Sequence, residues 1–353
     1  MKLPKIEFSL RNSFELFSRF KSGVRFILWC LLLPLCYFAM RYGKFHFAWH
    51  ISKFPARFHY CRVERSRCLE NLSCISGELL QESDKLILLD KHIRTQVLLM
   101  VNRGMALVEA NISIYRYVNT MIYPHAQVND PMGLQSLLAK QGCVLALTHT
   151  GDHFSTISIL ARSLIGTNRK LMIVLRSDNK YIKRSNANLS KITGADVTCV
   201  GIDRIGLQTI IRALKDPLCH LAFYYDLPAQ SANGLFDSVR SCNFLGSQAY
   251  MADGLWRIVA RCSRPIIYAG GTVNQHGYTL NYLNFTPDSS QQFVAFETAA
   301  STLEIFLRKH PECWLYLSRF ELFRHTPILP RNKALKEDRA NLLSMQRRWQ
   351  HIK

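Results

Sequence analysis

Acidic residues are scarce in this chain. Against 45 lysines and arginines stand 25 aspartates and glutamates, a formal charge of +20 over 353 residues. That imbalance excludes an acidic surface and suits a polyanionic partner: nucleic acid, an anionic bilayer or a phosphorylated substrate. The motifs that would single out nucleic acid are also missing. There is no CxxC pair, zinc-finger spacing, RNP-like stretch or P-loop, and charge alone is weak ground for nucleic-acid binding, so no nucleic-acid partner is expected. The eleven cysteines, at 30, 36, 61, 68, 74, 143, 199, 219, 242, 262 and 313, lack metal-ligand spacing. An odd number scattered along a long chain argues against a disulfide framework and reads as small buried thiols in a reducing compartment. Neither a metal site nor a cofactor is expected. Internal repeats and low-complexity tracts are absent, and 48% hydrophobic residues suffice for a full core.

Long apolar runs are equally few. The longest near the N-terminus, Phe26 to Met40, is uncharged, lies between Arg25 and Arg41, and contains Pro34. A full bilayer crossing takes roughly 20 apolar residues, so the run is short. No small-residue cleavage site follows it, which argues against a secretory leader. Beyond it, Tyr42, Phe45, Phe47, Trp49 and Phe54 mix with Lys44, Lys53 and Arg57, a blend suited to the headgroup layer. A membrane anchor, spanning or monotopic, is expected over a buried core helix. The boundaries that follow are 1–60 for the basic segment and anchor, 61–330 for an α/β domain, and 331–353 for a charged tail.

Within the α/β region, residues 60–83 read as a connector. Asp84 to about Tyr117 reads as a long helix, with Leu86, Leu89, Ile93, Val97 and Leu98 at helical spacing. Asp130–Lys140 reads as a short helix. Strand-like runs at 143–148, 170–176, 196–200, 220–226, 265–270 and 278–283 alternate with helix-like runs at 154–164, 207–215, 249–262 and 293–309. Such alternation predicts a mostly parallel central sheet flanked by helices.

The chemistry concentrates in Gly142-Cys-Val-Leu-Ala-Leu-Thr-His149-Thr-Gly-Asp152-His153-Phe154. An apolar strand ends at a histidine, and a helix begins after an acid. Open α/β sheets place ligands at that end of their strands. Two readings compete: His149 as a catalytic base, or a polar turn with Asp152 as helix N-cap.

The order of the pieces resembles the lipid A late acyltransferases (lauroyl and myristoyl transferases) of the lysophospholipid acyltransferase superfamily, over roughly residues 128–327. Leu137 to Gly151 is similar to the family's glycine, apolar strand and His-x-Gly. Lys170 to Arg176 with Asn179 resembles its next strand, and Ala222-Phe-Tyr-Tyr-Asp226 a strand ending in aspartate. Asn243-Phe-Leu-Gly246 with Ala249 and Ala252 resembles its Phe-Phe-Gly loop and following helix. Pro311-Glu312-Cys-Trp314 with Arg319 and Phe320 looks like its Pro-Glu-x-Trp signature. One departure stands out. In the family four residues separate the histidine from a carboxylate, and here the fifth position after His149 is Phe154.

The resemblance implies an acyltransferase-like α/β fold and a histidine that takes a proton from an acceptor hydroxyl. The hydroxyl then attacks a thioester on an acyl-carrier protein; the acceptor is lipid A or a related phosphoglycolipid. The implied setting is the cytoplasmic side of a Gram-negative inner membrane. His149 is the expected base. Asp152 or His153 is its candidate helper, and Asp226 either orients a basic residue or replaces the missing acid. Arg176 is a candidate phosphate contact, with Lys180, Arg204 and Arg319 as further basic candidates. Two alternatives stay open: aminoacyl (glycyl) transfer from a carrier protein onto lipid A, and a non-catalytic lipid-binding protein.

Overall fold

The computed structural model describes residues 34–39, 42, 44–53, 62–76, 80–108, 122–175, 193–202, 204–229, 238–290 and 292–324. Its strands are β1 (Ala126–Asn129), β2 (Val144–Leu147), β3 (Lys170–Leu175), β4 (Asp196–Gly201), β5 (Cys219–Tyr224), β6 (Val239–Phe244), β7 (Ser247–Ala252), β8 (Ile266–Asn274) and β9 (Gly277–Thr286). Seven of them form one sheet in the order β1-β9-β8-β2-β5-β3-β4. Strands β8, β2, β5, β3 and β4 run parallel to one another, while β9 turns back antiparallel to β8 and pairs parallel with β1. This is the expected mostly parallel sheet, with a hairpin partner added near one edge.

The helices are α1 (Phe45–Ile51), α2 (Arg62–Ser76), α3 (Glu82–Val108), α4 (Leu134–Lys140), α5 (His153–Ser163), α6 (Arg204–Lys215), α7 (Gly254–Val259), α8 (Gln292–Lys309) and α9 (Glu321–Arg324). They cover both faces of the sheet, which is why β2 is apolar at every position. Leu145 and Leu147 point into one core with Phe154, Ile157 and Leu160 of α5. Val144 and Ala146 point into the other with Ile210 of α6 and Leu303 of α8. A parallel strand buried on both sides has no position left for a polar residue.

Three stretches depart from the expectation. The connector over 60–83 contains α2, whose Cys68, Leu72 and Ile75 are buried at helical spacing; its many charged residues mask that stripe. The helix expected over 249–262 is confined to α7. Residues before it form β7, paired antiparallel with β6 around Leu245–Gly246, both at positive φ (52° and 71°). Two consecutive left-handed residues make a tight hairpin turn. The amide of Leu245 is held by Glu304 Oε2 at 2.8 Å. Finally, Phe45 and Trp49, expected at a headgroup layer, are buried in the protein core, whereas Tyr42 and Phe47 are exposed. Much of the expected anchor, residues 26–33 and 40, lies outside the described residues; Cys36 and Ala39 within it are buried. Among the described residues no helix is long and apolar enough to cross a membrane.

Candidate active site

Strands β2 and β5 are parallel neighbours with Leu147 opposite Tyr224. Each chain continues two residues past that rung, so His149 and Asp226 emerge side by side at the carboxyl end of the sheet. The imidazole Nδ1 lies 2.8 Å from Asp226 Oδ1, and the His149 amide donates to both carboxylate oxygens at 2.9 Å. The indole Nε1–H of Trp314 donates to Oδ2 at 3.1 Å. The Asp226 side chain is fully buried and depends on these donors, because a buried charge is tolerated only when hydrogen-bonded or paired.

The imidazole is itself framed. Tyr224 stacks on it with ring centroids 4.2 Å apart, and Tyr316 meets it edge-on at 5.6 Å. His153 stands edge-on at 5.8 Å, and its backbone carbonyl accepts from the Tyr224 hydroxyl at 3.0 Å. Strand alternation explains the division of labour on β5. Tyr224 and Asp226 point towards His149, while Phe223 and Tyr225 point into the opposite core, where the Tyr225 hydroxyl donates to the Ala299 carbonyl. Burial and the nearby Asp226 push the Tyr225 phenol well above its ordinary pKa.

Backbone pairing fixes the histidine's position. The Leu315 amide donates to the His149 carbonyl (2.9 Å), the Gly151 amide donates to the Cys313 carbonyl (2.8 Å), and Thr150 bridges antiparallel to Trp314. Gly151 sits at φ +59°, and a Cβ there would lie 2.8 Å from the Gly271 carbonyl carbon; only glycine fits. With Nδ1 facing the carboxylate, Nε2 is hydrogen-bonded to no described residue, and the side chain keeps 15% exposure. This is the arrangement of a general base: one nitrogen oriented by an acid, the other open.

No family model and no curated protein matches this chain. Asp226, anticipated as an orienting or replacement acid, is the carboxylate at the imidazole. Asp152 is the α5 N-cap, its Oδ1 accepting from the Phe154 amide at 3.1 Å. Its Oδ2 accepts from Ser155 Oγ at 2.6 Å and from the Asn102 side chain, which also reaches the Tyr278 hydroxyl at 2.8 Å. Those partners tie α5 to α3 and β9, while Oδ1 is the acceptor that the first amides of a helix demand. Arg319 is exposed on the turn that follows Tyr316. Arg204 begins α6, but its side chain lies outside the described residues, as do Arg176 and Lys180 entirely.

Sequence reasoning missed the aromatic frame. Tyr224 and Trp314 stood inside the quoted motifs and Tyr316 two residues beyond one, yet the only signal for their role is register: Tyr224 is two residues before Asp226 and shares its face. It also missed a groove of about 670 Å³ lined by Trp49, Lys53, Leu86, Lys91, Val273 and His310 among others; neither His149 nor Asp226 lines it.

Proposed function

We propose that this chain is a membrane-associated acyltransferase of the lysophospholipid acyltransferase type. It moves an acyl group from an acyl-carrier protein thioester to a hydroxyl of lipid A or a related phosphoglycolipid, at the cytoplasmic side of a Gram-negative inner membrane. The observation that carries the reading is the buried Asp226 carboxylate on His149 Nδ1, with Nε2 left open.

In the proposed reaction the acceptor hydroxyl gives its proton to His149 Nε2 as its oxygen bonds to the thioester carbonyl carbon. Asp226 keeps the imidazole in the tautomer that accepts at Nε2 and stabilises the imidazolium that forms. When the tetrahedral intermediate collapses, the carbon–sulfur bond breaks, and the proton passes from His149 to the departing carrier thiolate. His153 sits beside the base as a neighbour and not as its orienting acid. Arg176, Lys180, Arg204 and Arg319 are the proposed contacts for acceptor or carrier phosphate, a role suited to arginine's planar fork. The net charge of +20 favours anionic lipid and an acidic carrier.

The replacement acid supports an enzymatic reading over a non-catalytic lipid-binding one. It also means that a fatty-acyl donor needs no special activation. Lipid mass spectrometry of a strain lacking the gene tests the proposal. Loss of a fatty-acyl mass from lipid A or a related lipid is expected. Loss of an aminoacyl mass would replace the donor, and an unchanged lipid profile would contradict the proposal.

A further inference from the structure

We propose that Trp314 is a positioning residue of the His149–Asp226 pair: its indole N–H locks the carboxylate so that one oxygen faces the imidazole, and it sets how tightly that imidazole holds its proton. The inference deepens the proposed function and rests on it for its catalytic meaning, but its physical content concerns the pair alone.

Apart from Trp314, the described donors to Asp226 all belong to His149, its amide and its ring. Trp314 therefore supplies the one donor independent of the residue being oriented, and it reaches Oδ2, the oxygen away from the ring nitrogen. A carboxylate with a donor on each oxygen cannot turn about its Cβ–Cγ bond without breaking one of them.

Trp314 is well placed to hold that geometry. Its backbone bridges Thr150, next to His149, and the following amide at Leu315 holds the His149 carbonyl. Anchor and base thus ride on the same pair of antiparallel segments. The indole itself is fully buried among Phe244 at the end of β6, Phe320 and Phe323, with ring centroids 5.1 to 5.8 Å away. The β6–β7 hairpin and α9 thereby act as the wall behind the indole. An apolar ring alone would fill such a wall; the N–H is needed only for the carboxylate.

A hydrogen bond to a carboxylate stabilises its charge and weakens its hold on a neighbouring imidazolium. Without the indole N–H, Asp226 is a poorer-satisfied anion and a stronger partner for charged His149, so the imidazole holds its proton to higher pH. The other titratable groups facing the ring are His153 from α5, Tyr224 from β5 and Tyr316 from the turn after Trp314, with Tyr225 beside Asp226 on the far side of the sheet. All of them are retained when only the indole nitrogen is changed.

The test is an NMR titration of His149 in the full-length, isotope-labelled chain, with the resonance assigned by its loss in His149→Gln. Trp314 is replaced by Phe and, separately, by benzothienylalanine, which keeps the bicyclic shape and exchanges N–H for sulfur. The isostere decides the matter should the Phe variant fail to fold. Expected is a rise of the His149 midpoint by about half a pH unit or more, a threefold or greater gain in proton affinity. An unmoved midpoint in the folded isostere overturns the inference. Transfer assays separate it from the proposed function: the acid limb of the pH–rate profile should move with the midpoint. A moved midpoint in a protein that transfers nothing leaves Trp314 in its role and removes the acyltransferase reading.

Discussion

His220 offers a test of the buried polar design that does not depend on activity. It lies within β5, fully buried, and its Nδ1 accepts the Cys143 amide at 3.1 Å. Protonation would place a proton on that acceptor nitrogen and break the bond. Burial pushes the pKa down to about 4, the Arg169 and Arg264 guanidiniums add to this, and the Leu138 carbonyl offsets part of it. A histidine whose folded pKa is depressed contributes stability above its unfolded pKa, near 6.5, and loses it as pH falls towards the folded value. Between pH 7 and pH 5 the unfolded chain takes up this proton while the native chain does not, which removes about 2 kcal/mol of stability. That is a large share of a typical total of about 5–15 kcal/mol. In His220→Asn the amide oxygen can still accept from Cys143, but nothing titrates at that position. Urea unfolding followed by tryptophan fluorescence from pH 7 to pH 5 should show the variant less stable than wild type at pH 7. Its midpoint should then fall with pH more gently, by that same ~2 kcal/mol over the interval. Parallel curves for the two proteins would refute the reasoning. His92, whose pKa burial also pushes down to about 4, contributes the same slope to both proteins and cancels.

Further outcomes follow from the site. Asp226→Asn should lower the proposed transfer rate by roughly 10²–10⁴-fold with little change in KM, because orientation and charge stabilisation act in the transition state; steady-state kinetics on the purified chain reads both. Asp152→Ala removes an N-cap and the partner of Asn102 and Ser155, so a loss of about 1–2 kcal/mol in urea denaturation is expected, with activity per folded molecule largely kept. A collapse of activity in fully folded Asp152→Ala would restore Asp152 as the imidazole's helper. Gly151→Ala forces a left-handed residue against the Gly271 carbonyl and should cost about 1–3 kcal/mol, read as a lower thermal midpoint.

The fold was legible where periodicity was clean. The strands at 144–147, 170–175, 196–201, 219–224 and 266–274 are short apolar or alternating runs between turn residues, and their spacing with helices dictates parallel pairing. It was not legible where a two-residue turn decides the outcome. Ala249 and Met251 point inwards with a period of two, but only the left-handed pair Leu245–Gly246 shows that the segment turns back as a hairpin. Nor did the charged surface of α2 announce its narrow buried stripe of Cys68, Leu72 and Ile75. In the site, His149 was legible as the end of a buried strand. Asp226 was visible as a strand-end acid, but its pairing with His149 depends on strand order and on the Leu147–Tyr224 register, which are tertiary facts. Asp152 illustrates the reverse: closeness in sequence suggested a helper, while the helix cap claimed one of its oxygens and the Ser155 and Asn102 side chains the other.

Everything functional turns on whether the imidazole at the end of β2 moves a proton. The most direct measurement is transfer of a labelled acyl group from acyl-carrier protein to purified lipid A by the wild-type chain and by folded His149→Ala, at matched protein and lipid. Labelled product from the wild type alone is the predicted result. Equal product from both proteins would contradict it.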